Sequence, residues 1–105
     1  MQIEDQFKVL RHISKKSDNS QRKMAVDLGF SLGKLNYCIK ALKKKGYIKL
    51  QRFKKKNDKI KNLRHIITSK GLKYRINLTV YFLKKTMHEY DELKKEIQNI
   101  NDFKK

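Results

Sequence analysis

The sequence contains no proline or tryptophan, only four glycines and a single cysteine among its 105 residues. One cysteine excludes an internal disulfide and a zinc site built from several cysteines. No hydrophobic run is long enough for a signal peptide or a membrane span, so we expect a cytoplasmic protein without a membrane partner. No nucleophile–base pair, glycine-rich phosphate loop or paired carboxylates emerge, and we therefore expect neither an enzyme nor a bound cofactor.

Acidic residues are also scarce. The chain has 10 Asp and Glu against 28 Lys and Arg, which gives a net charge of +18. The positive excess lies in residues 1–87, with 24 basic and 5 acidic side chains, whereas residues 88–105 carry 4 and 5. Compositional drift toward lysine is the plain alternative, but drift would not distribute the charge so unevenly. The charge favours a polyanionic partner, nucleic acid before membrane.

Apolar residues at helical spacing predict three helices in the first half of the chain. The first covers residues 3–15, and the second begins after Ser20 and ends at Gly29. The third occupies 31–46, with Ser31 as its N-cap and an apolar stripe formed by Leu32, Leu35, Ile39 and Leu42. A three-residue turn with glycine between the second and third helices is typical of a helix-turn-helix.

Individual positions agree with that motif. Ala25 provides the small residue where the two helices cross, and Gly29 provides the positive φ of the turn. The apolar positions are filled by Met24, Leu28, Phe30, Leu35 and Cys38. Cys38 is therefore expected to be a buried core residue rather than a redox sensor.

The periodicity changes after Gly46. Residues 47–53 (YIKLQRF) and 63–68 (LRHIIT) alternate and are rich in β-formers, and Asn57–Asp58 is the expected turn between them. A basic β-hairpin directly after the third helix predicts the wing of a winged helix-turn-helix. An ordinary solvated hairpin is the alternative.

The remaining stretch, 69–105, predicts one long helix, because it has no proline and no glycine after Gly71. Its heptad spacing predicts a coiled-coil seam and a homodimer, whose interface we expect at Leu83, Tyr90, Leu93, Ile97 and Ile100. In the first half of this helix, Val80, Phe82 and Met87 are expected to pack on the first helix. The alternative is a single helix that folds back on its own domain.

The sequence therefore predicts a mainly α protein with a small β-hairpin (α+β). Residues 1–68 are expected to form a winged helix-turn-helix DNA-binding domain, and residues 69–105 a long C-terminal dimerisation helix. This order, with the phrases SQRKMAVDLGFSLGKLNYCIKALKKKGYIKLQRFKKK and ITSKGLKYRINLTVYFLKKTMHEYDELKKEI, resembles the MarR-type winged-helix regulators. Within them it is most similar to the small group of exopolysaccharide (EPS)-associated transcriptional regulators.

The resemblance implies a homodimeric, double-stranded DNA-binding regulator near polysaccharide genes, and nothing firm about an effector. Two features depart from the wider MarR pattern. The usual wing signature, an Asp closely followed by paired arginines, is absent, with Asp58–Lys59 in its place. Because the first helix is expected to begin at residue 3, we do not expect the N-terminal extension that helps those proteins dimerise. Dimerisation is therefore assigned to the last helix.

A helix fits the major groove of B-DNA, where its exposed side chains meet base edges. Asn36 suits adenine and Lys34 suits guanine, and the full set of expected base contacts is Ser31, Lys34, Asn36, Tyr37 and Lys40. A second set is expected to contact the DNA backbone from the second helix, the end of the third and the wing: Ser20, Gln21, Arg22, Lys43, Lys44, Lys54, Lys55, Lys56, Lys59, Lys61 and Arg64.

Two other binding classes explain part of the pattern. A small RNA-binding or ribosome-associated winged-helix protein would have the same charge and wing, but it leaves the heptads unexplained. A protein–protein adaptor could use the hairpin and the last helix. His88 with Asp91 and Glu92 has helical metal-ligand spacing, but with no second histidine we expect no metal site.

Overall fold

The computed structural model describes residues 2–15, 20–54 and 61–103. Within these residues, four helices and two strands follow one another: α1 (Ile3–Lys15), α2 (Gln21–Leu28), α3 (Leu32–Lys44), β1 (Ile48–Lys54), β2 (Lys61–Ile67) and α4 (Ser69–Phe103). The expected fold, mainly helical with an antiparallel hairpin and a long C-terminal helix, is confirmed. Element ends differ from the expected ones by one or two residues, as terminal turns and strand ends commonly do.

Local chemistry sets the ends of α2 and α3. The hydroxyl oxygens of Ser20 and Ser31 accept hydrogen bonds from the N–H groups three residues later, at 3.2 and 3.1 Å. These bonds satisfy backbone donors that the first helical turn leaves free. At the end of α2, Gly29 has φ 70°, in the left-handed region that glycine adopts without steric cost. Phe30 N–H then bonds to Ala25 C=O at 2.9 Å, which closes the turn before α3.

In the described part of the chain, one hydrophobic core joins the helices to the base of the hairpin. It consists of Val9, Leu10, Ile13, Met24, Ala25, Leu35, Cys38, Ile39, Leu42, Ile48 and Leu78. Cys38 is 1% exposed, so its expected place in the core is confirmed, and Leu32 is 42% exposed, so its expected place in the stripe is wrong. Leu32 is the first residue of α3, and the buried residues of this helix begin only at Leu35.

The hairpin and the start of α4 are held against the end of α3. β1 pairs antiparallel with β2 in a register that sets Ile48 opposite Ile67. Beyond β2, the Thr68 hydroxyl donates to Gly46 C=O at 2.6 Å, and Thr68 N–H donates to Tyr47 C=O at 3.0 Å. These bonds fix the direction in which α4 leaves the hairpin.

One face of the first half of α4 packs on this body. Leu78 is buried, the Tyr74 ring stacks on Tyr47 at 4.3 Å between centroids, and the Phe82 ring stacks on Phe7 at 5.0 Å. The expected contact of Phe82 with α1 is thus present. The same expectation is wrong for Val80 and Met87, which are 45% and 58% exposed, because they lie on another face of the helix.

Beyond Phe82 the helix continues outward instead of folding back, and the molecule reaches 73 Å in its longest dimension. Tyr90, Leu93, Ile97 and Ile100 are all more than half exposed. A stripe of large apolar side chains therefore runs along α4 from the body to its far end.

Candidate nucleic-acid interface

The outward side of α3 lies opposite the side that enters the core. Leu35, Cys38, Ile39 and Leu42 are buried, and Gly33, Tyr37, Lys40 and Lys44 follow each other at spacings of four, three and four on the exposed side. Tyr37 is 63% exposed. This exposed side is narrow and convex, with glycine at its start and lysines toward its end, so it can lie in a groove of a polyanion.

A groove of about 380 Å³ opens between the start of α2, one flank of α3 and the hairpin. Its polar lining is Ser20, Gln21, Asn36, Lys40, Lys43, Arg64 and His65, and its apolar lining is Met24, Ile39 and Leu50. Of the described residues that line it, none is acidic. The structure thus brings together residues from three elements that the sequence assigned separately to base and backbone contacts.

The two capping serines remain able to bind a ligand. Each hydroxyl oxygen accepts a backbone N–H, but the hydroxyl hydrogen is still free to be donated outward. Ser20 and Ser31 also mark the N-termini of α2 and α3, where the helix dipole and unpaired backbone N–H groups attract anions. Both serines are exposed.

Lys34 lies on the other flank of α3. Its Nζ is 3.4 Å from the Asp5 carboxylate of α1 and 4.3 Å from the centre of the Phe30 ring. Asp5 is largely buried, so this ion pair joins α3 to α1. A contact from Lys34 to a base stays a prediction, and it requires this ion pair to open.

Cys38 lies beneath the same flank. Burial raises the pKa of the Cys38 thiol, and the Asp5 carboxylate adds to the effect. The thiol is therefore protonated and acts as an apolar side chain of the core.

The hairpin contributes side chains at its base. Arg64 and His65 of β2 are half-buried on the groove, and Leu50 of β1 is the register partner of His65. Desolvation by burial lowers the pKa of His65, and the nearby positive charge of Lys43 lowers it further. The ring is therefore neutral at pH 7.

The tip of the hairpin is only partly described. The backbones of Lys54 and Lys61 are register partners at the last described pair, although their side chains lie outside the described part of the chain. The expected wing residues Lys55, Lys56 and Lys59, and the expected turn at Asn57–Asp58, lie outside the described residues altogether.

Sequence reasoning missed Gly33, Leu50 and His65. Gly33 has open space where a Cβ would point, so the α3 backbone is accessible there. Leu50 and His65 could have been found from the alternation of the strands, but only with the hairpin register, which depends on the length of the turn.

Metal binding and membrane insertion have no candidate site among the described residues. Within residues 2–15, 20–54 and 61–103, no cluster of His, Cys, Asp and Glu has the geometry to hold a metal ion. None of the described helices combines the length and the apolar character that crossing a membrane requires.

Comparison with known proteins agrees with the geometry. A family model described as winged helix-turn-helix DNA-binding matches residues 6–49, which include most of α1, all of α2 and α3, and the start of β1. A search of curated proteins by sequence finds no match.

Solved structures share the fold at low sequence identity. A variant of ZitR from Lactococcus lactis in its apo form has a TM-score of 0.66 at 21% identity, over 90% of this chain and 67% of that one. PcaV, a transcriptional regulator from Streptomyces coelicolor solved with its natural ligand, has a TM-score of 0.65 at 16% identity, over 96% and 75%. FabT from Streptococcus pneumoniae, solved in complex with DNA, has a TM-score of 0.54 at 22% identity, over 98% and 75%.

Proposed function

We propose that this chain is a MarR-type transcriptional regulator that binds specific sites in double-stranded DNA as a homodimer. One observation carries the proposal: α2, α3 and the hairpin converge on a groove lined by basic and neutral side chains, beside an exposed helix face that ends in lysines. The match of residues 6–49 to a winged helix-turn-helix model and the shared fold of FabT, which was solved with DNA, support it. The proposal includes no catalytic activity.

In this proposal α3 enters the major groove. Asn36 and Lys40 point to base edges, together with Tyr37 and Ser31, while Lys43, Lys44 and the start of α2 bind phosphates. The basic hairpin follows the adjacent backbone as a wing. Residues 1–68 bind DNA and residues 69–105 pair two subunits. Because Leu78 of α4 lies in the hydrophobic core, the first half of α4 also belongs to the DNA-binding domain.

The genes under control are proposed from the resemblance to the EPS-associated regulators, which suggests polysaccharide genes as targets. Because duplex DNA is the proposed partner, the cytoplasm is the proposed location. No effector is proposed.

A competition experiment tests the proposal against its main rival, an RNA-binding winged-helix protein. The protein is titrated with a mixed-sequence duplex DNA, a duplex enriched by selection from random sequence, and a structured RNA of equal length at one salt concentration. We expect the selected duplex to bind most tightly, by a factor of about 10³ or more over mixed sequence. Preference for the RNA would overturn the proposal.

A variant experiment tests the adaptor alternative. Replacing Asn36 and Tyr37 with Ala should remove the preference for the selected duplex and leave most non-specific binding, because these side chains carry no charge. Lys94→Ala on α4 provides the matched control and should leave the preference intact. An unchanged preference in the Asn36→Ala and Tyr37→Ala variants would show that α3 does not read bases.

A further inference from the structure

The exposed apolar stripe of α4 divides the helix into two halves of opposite charge. It contains Ile76, Val80, Leu83, Met87, Tyr90, Leu93, Ile97 and Ile100, each at least 45% exposed. Before residue 88, α4 carries Lys70, Lys73, Arg75, Lys84 and Lys85 and no acidic residue. After it come Glu89, Asp91, Glu92, Glu96 and Asp102, with Lys94 and Lys95 as the only basic residues up to Phe103.

The stripe is nearly symmetric about the point at which the charge changes. Reversing a second copy of α4 about residue 88 brings Ile76 level with Ile100 and Leu83 level with Leu93, and it brings Val80 and Met87 within one residue of Ile97 and Tyr90, respectively. Each level pairs two large apolar side chains over about 36 Å of helix, at a rise of 1.5 Å per residue. A parallel pair would instead align the basic halves with each other and the acidic halves with each other.

A basic groove lies beside the first half of the stripe. It is formed by α1 and α4, is about 580 Å³ in volume, and is lined by Glu4, Phe7, Lys8, Arg11, Arg75, Thr79, Phe82, Leu83 and Thr86. Arg75 Nε is buried and has no hydrogen-bond partner among the described residues. The three cations Lys8, Arg11 and Arg75 outnumber the one carboxylate of Glu4, so the groove favours an acidic binding partner.

We infer that two copies of this chain pair antiparallel through α4, so that the acidic half of each helix lies along the basic groove of the other copy. Flanking charges set the orientation of paired helices in this way, while the apolar stripe supplies the contact. The inference rests on the homodimer of the proposed function. To that homodimer it adds the antiparallel direction of the two α4 helices and a second contact surface, the groove between α1 and α4.

The acidic half cannot fill the groove of its own subunit. Glu96 lies 14 residues beyond Phe82, which corresponds to about 21 Å along a continuous helix. An acidic segment of α4 can therefore reach the groove only from a second copy.

The inferred arrangement also fits the spacing of a DNA site. Arg75, which lies against the body, is 13 residues from residue 88, or about 20 Å along the helix. Two bodies would then lie about 40 Å apart along α4, close to the roughly 34–36 Å that separates half-sites one turn apart.

Charge reversal tests the pairing. One variant carries Lys8→Glu and Arg11→Glu on the groove, a second carries Glu92→Lys and Glu96→Lys, and a third carries all four changes. Dimer dissociation constants are measured without DNA by sedimentation equilibrium, with circular dichroism to confirm that each variant is folded. Lys23→Glu with Lys45→Glu, which lie away from the groove, provide the control for overall charge.

We expect each double reversal to weaken dimerisation by roughly tenfold and the four-fold change to restore it, since the groove and the acidic half then attract each other again. The groove variant is the more informative one. It lowers the net positive charge of each subunit, so a change in general repulsion alone would make it dimerise more tightly, which is the opposite of the expected result. The control should not weaken dimerisation.

Two results would overturn the inference. In the first, the losses of dimer affinity in the two double reversals simply add in the four-fold variant, as a parallel pair requires. In the second, the groove variant dimerises as tightly as the original protein, as a groove for a small anion requires. A monomeric protein that still binds a selected duplex would overturn the pairing and leave the proposed DNA binding in place. An antiparallel dimer without affinity for duplex DNA would support the pairing and overturn the proposed function.

Discussion

Gly71, in the first turn of α4, lies directly against the backbone carbonyl of Tyr47, so close that a Cβ at position 71 would overlap the carbonyl oxygen and carbon. The contact is framed by hydrogen bonds on both sides. The Lys70 ammonium donates to Lys45 C=O at 3.0 Å, and Gly71 N–H donates to the Thr68 hydroxyl at 3.0 Å. The segment after α3 is thus clamped to the start of α4, and the position of α3 is linked to the direction of the long helix.

The close approach at Gly71 gives the first prediction. Gly71→Ala should lower the free energy of unfolding by about 1–3 kcal/mol, because either the backbone of Tyr47 or α4 must move to admit the methyl group. Urea unfolding followed by circular dichroism measures it. Gly33→Ala is the matched control: it lies in a helix with open space at the Cβ, and it should stabilise by about 0.5–1 kcal/mol. Equal stability of the Gly71→Ala variant and the original protein would contradict the contact.

A second link between α1 and α4 gives the next prediction. The Tyr74 hydroxyl donates to the Gln6 side-chain carbonyl at 2.6 Å, and Gln6 is 4% exposed. Tyr74→Phe removes only this donor and keeps the ring stacked on Tyr47. We expect a loss of about 1 kcal/mol in unfolding free energy. Tyr81→Phe, at an exposed position on the same helix, should change stability by less than about 0.5 kcal/mol.

The lysines of α3 should determine the salt dependence of DNA binding. Lys44→Ala should reduce the slope of log affinity against log salt by about 0.9 per subunit, because one phosphate contact is lost. Lys94→Ala on α4 removes the same charge far from α3 and should leave the slope unchanged. Fluorescence anisotropy over a range of salt concentrations measures both slopes. Equal slopes for the two variants would remove Lys44 from the interface.

His65 should couple DNA binding to pH. Its pKa lies below the ordinary 6.5 through burial and Lys43, and a phosphate near the ring would favour the charged form. Proton uptake on binding is therefore expected, with affinity rising as the pH falls from about 7.5 to about 5.5. Calorimetry in buffers of different ionisation enthalpy measures the uptake. His65→Gln should reduce it, whereas His88→Gln on α4 should not, and uptake unchanged by His65→Gln would contradict this role.

The same histidine predicts a pH dependence of stability in the free protein. Because folding lowers the pKa of His65, the unfolded chain binds the proton more readily. The stabilisation is fully present above the unfolded pKa of about 6.5 and is lost as the pH falls through the lower folded pKa. Unfolding at a series of pH values should show this loss, and His65→Gln should reduce it.

Much of this fold could be predicted because its signals are local. Ser20, Ser31 and Gly29 mark helix ends through hydrogen bonds to residues within four positions, and the small Ala25 marks the crossing of α2 and α3. Contacts between residues that lie far apart in the sequence leave no such local signal and could not be predicted. Lys34 is held by Asp5, and its apolar and exposed neighbours on α3 give no indication of that ion pair.

The predicted packing of α4 on α1 was partly wrong for a related reason. Phe82 packs on Phe7, whereas Val80 and Met87 remain exposed, yet all three fit an apolar face of a long helix. A broad apolar face does not specify which part meets the body and which part remains for a partner. The sequence does not reveal the close approach of Gly71 to Tyr47. This contact fixes the direction of α4 and therefore determines which part of its apolar face packs on the body.

Selecting bound sites from a pool of random duplexes tests whether α3 reads a specific sequence in duplex DNA. We expect an enriched inverted repeat with half-sites about one helical turn apart. We also expect Asn36→Ala and Tyr37→Ala to weaken the enrichment and Lys94→Ala to leave it unchanged. A pool that remains random after repeated selection, although the protein retains duplex by charge alone, would contradict sequence reading by α3.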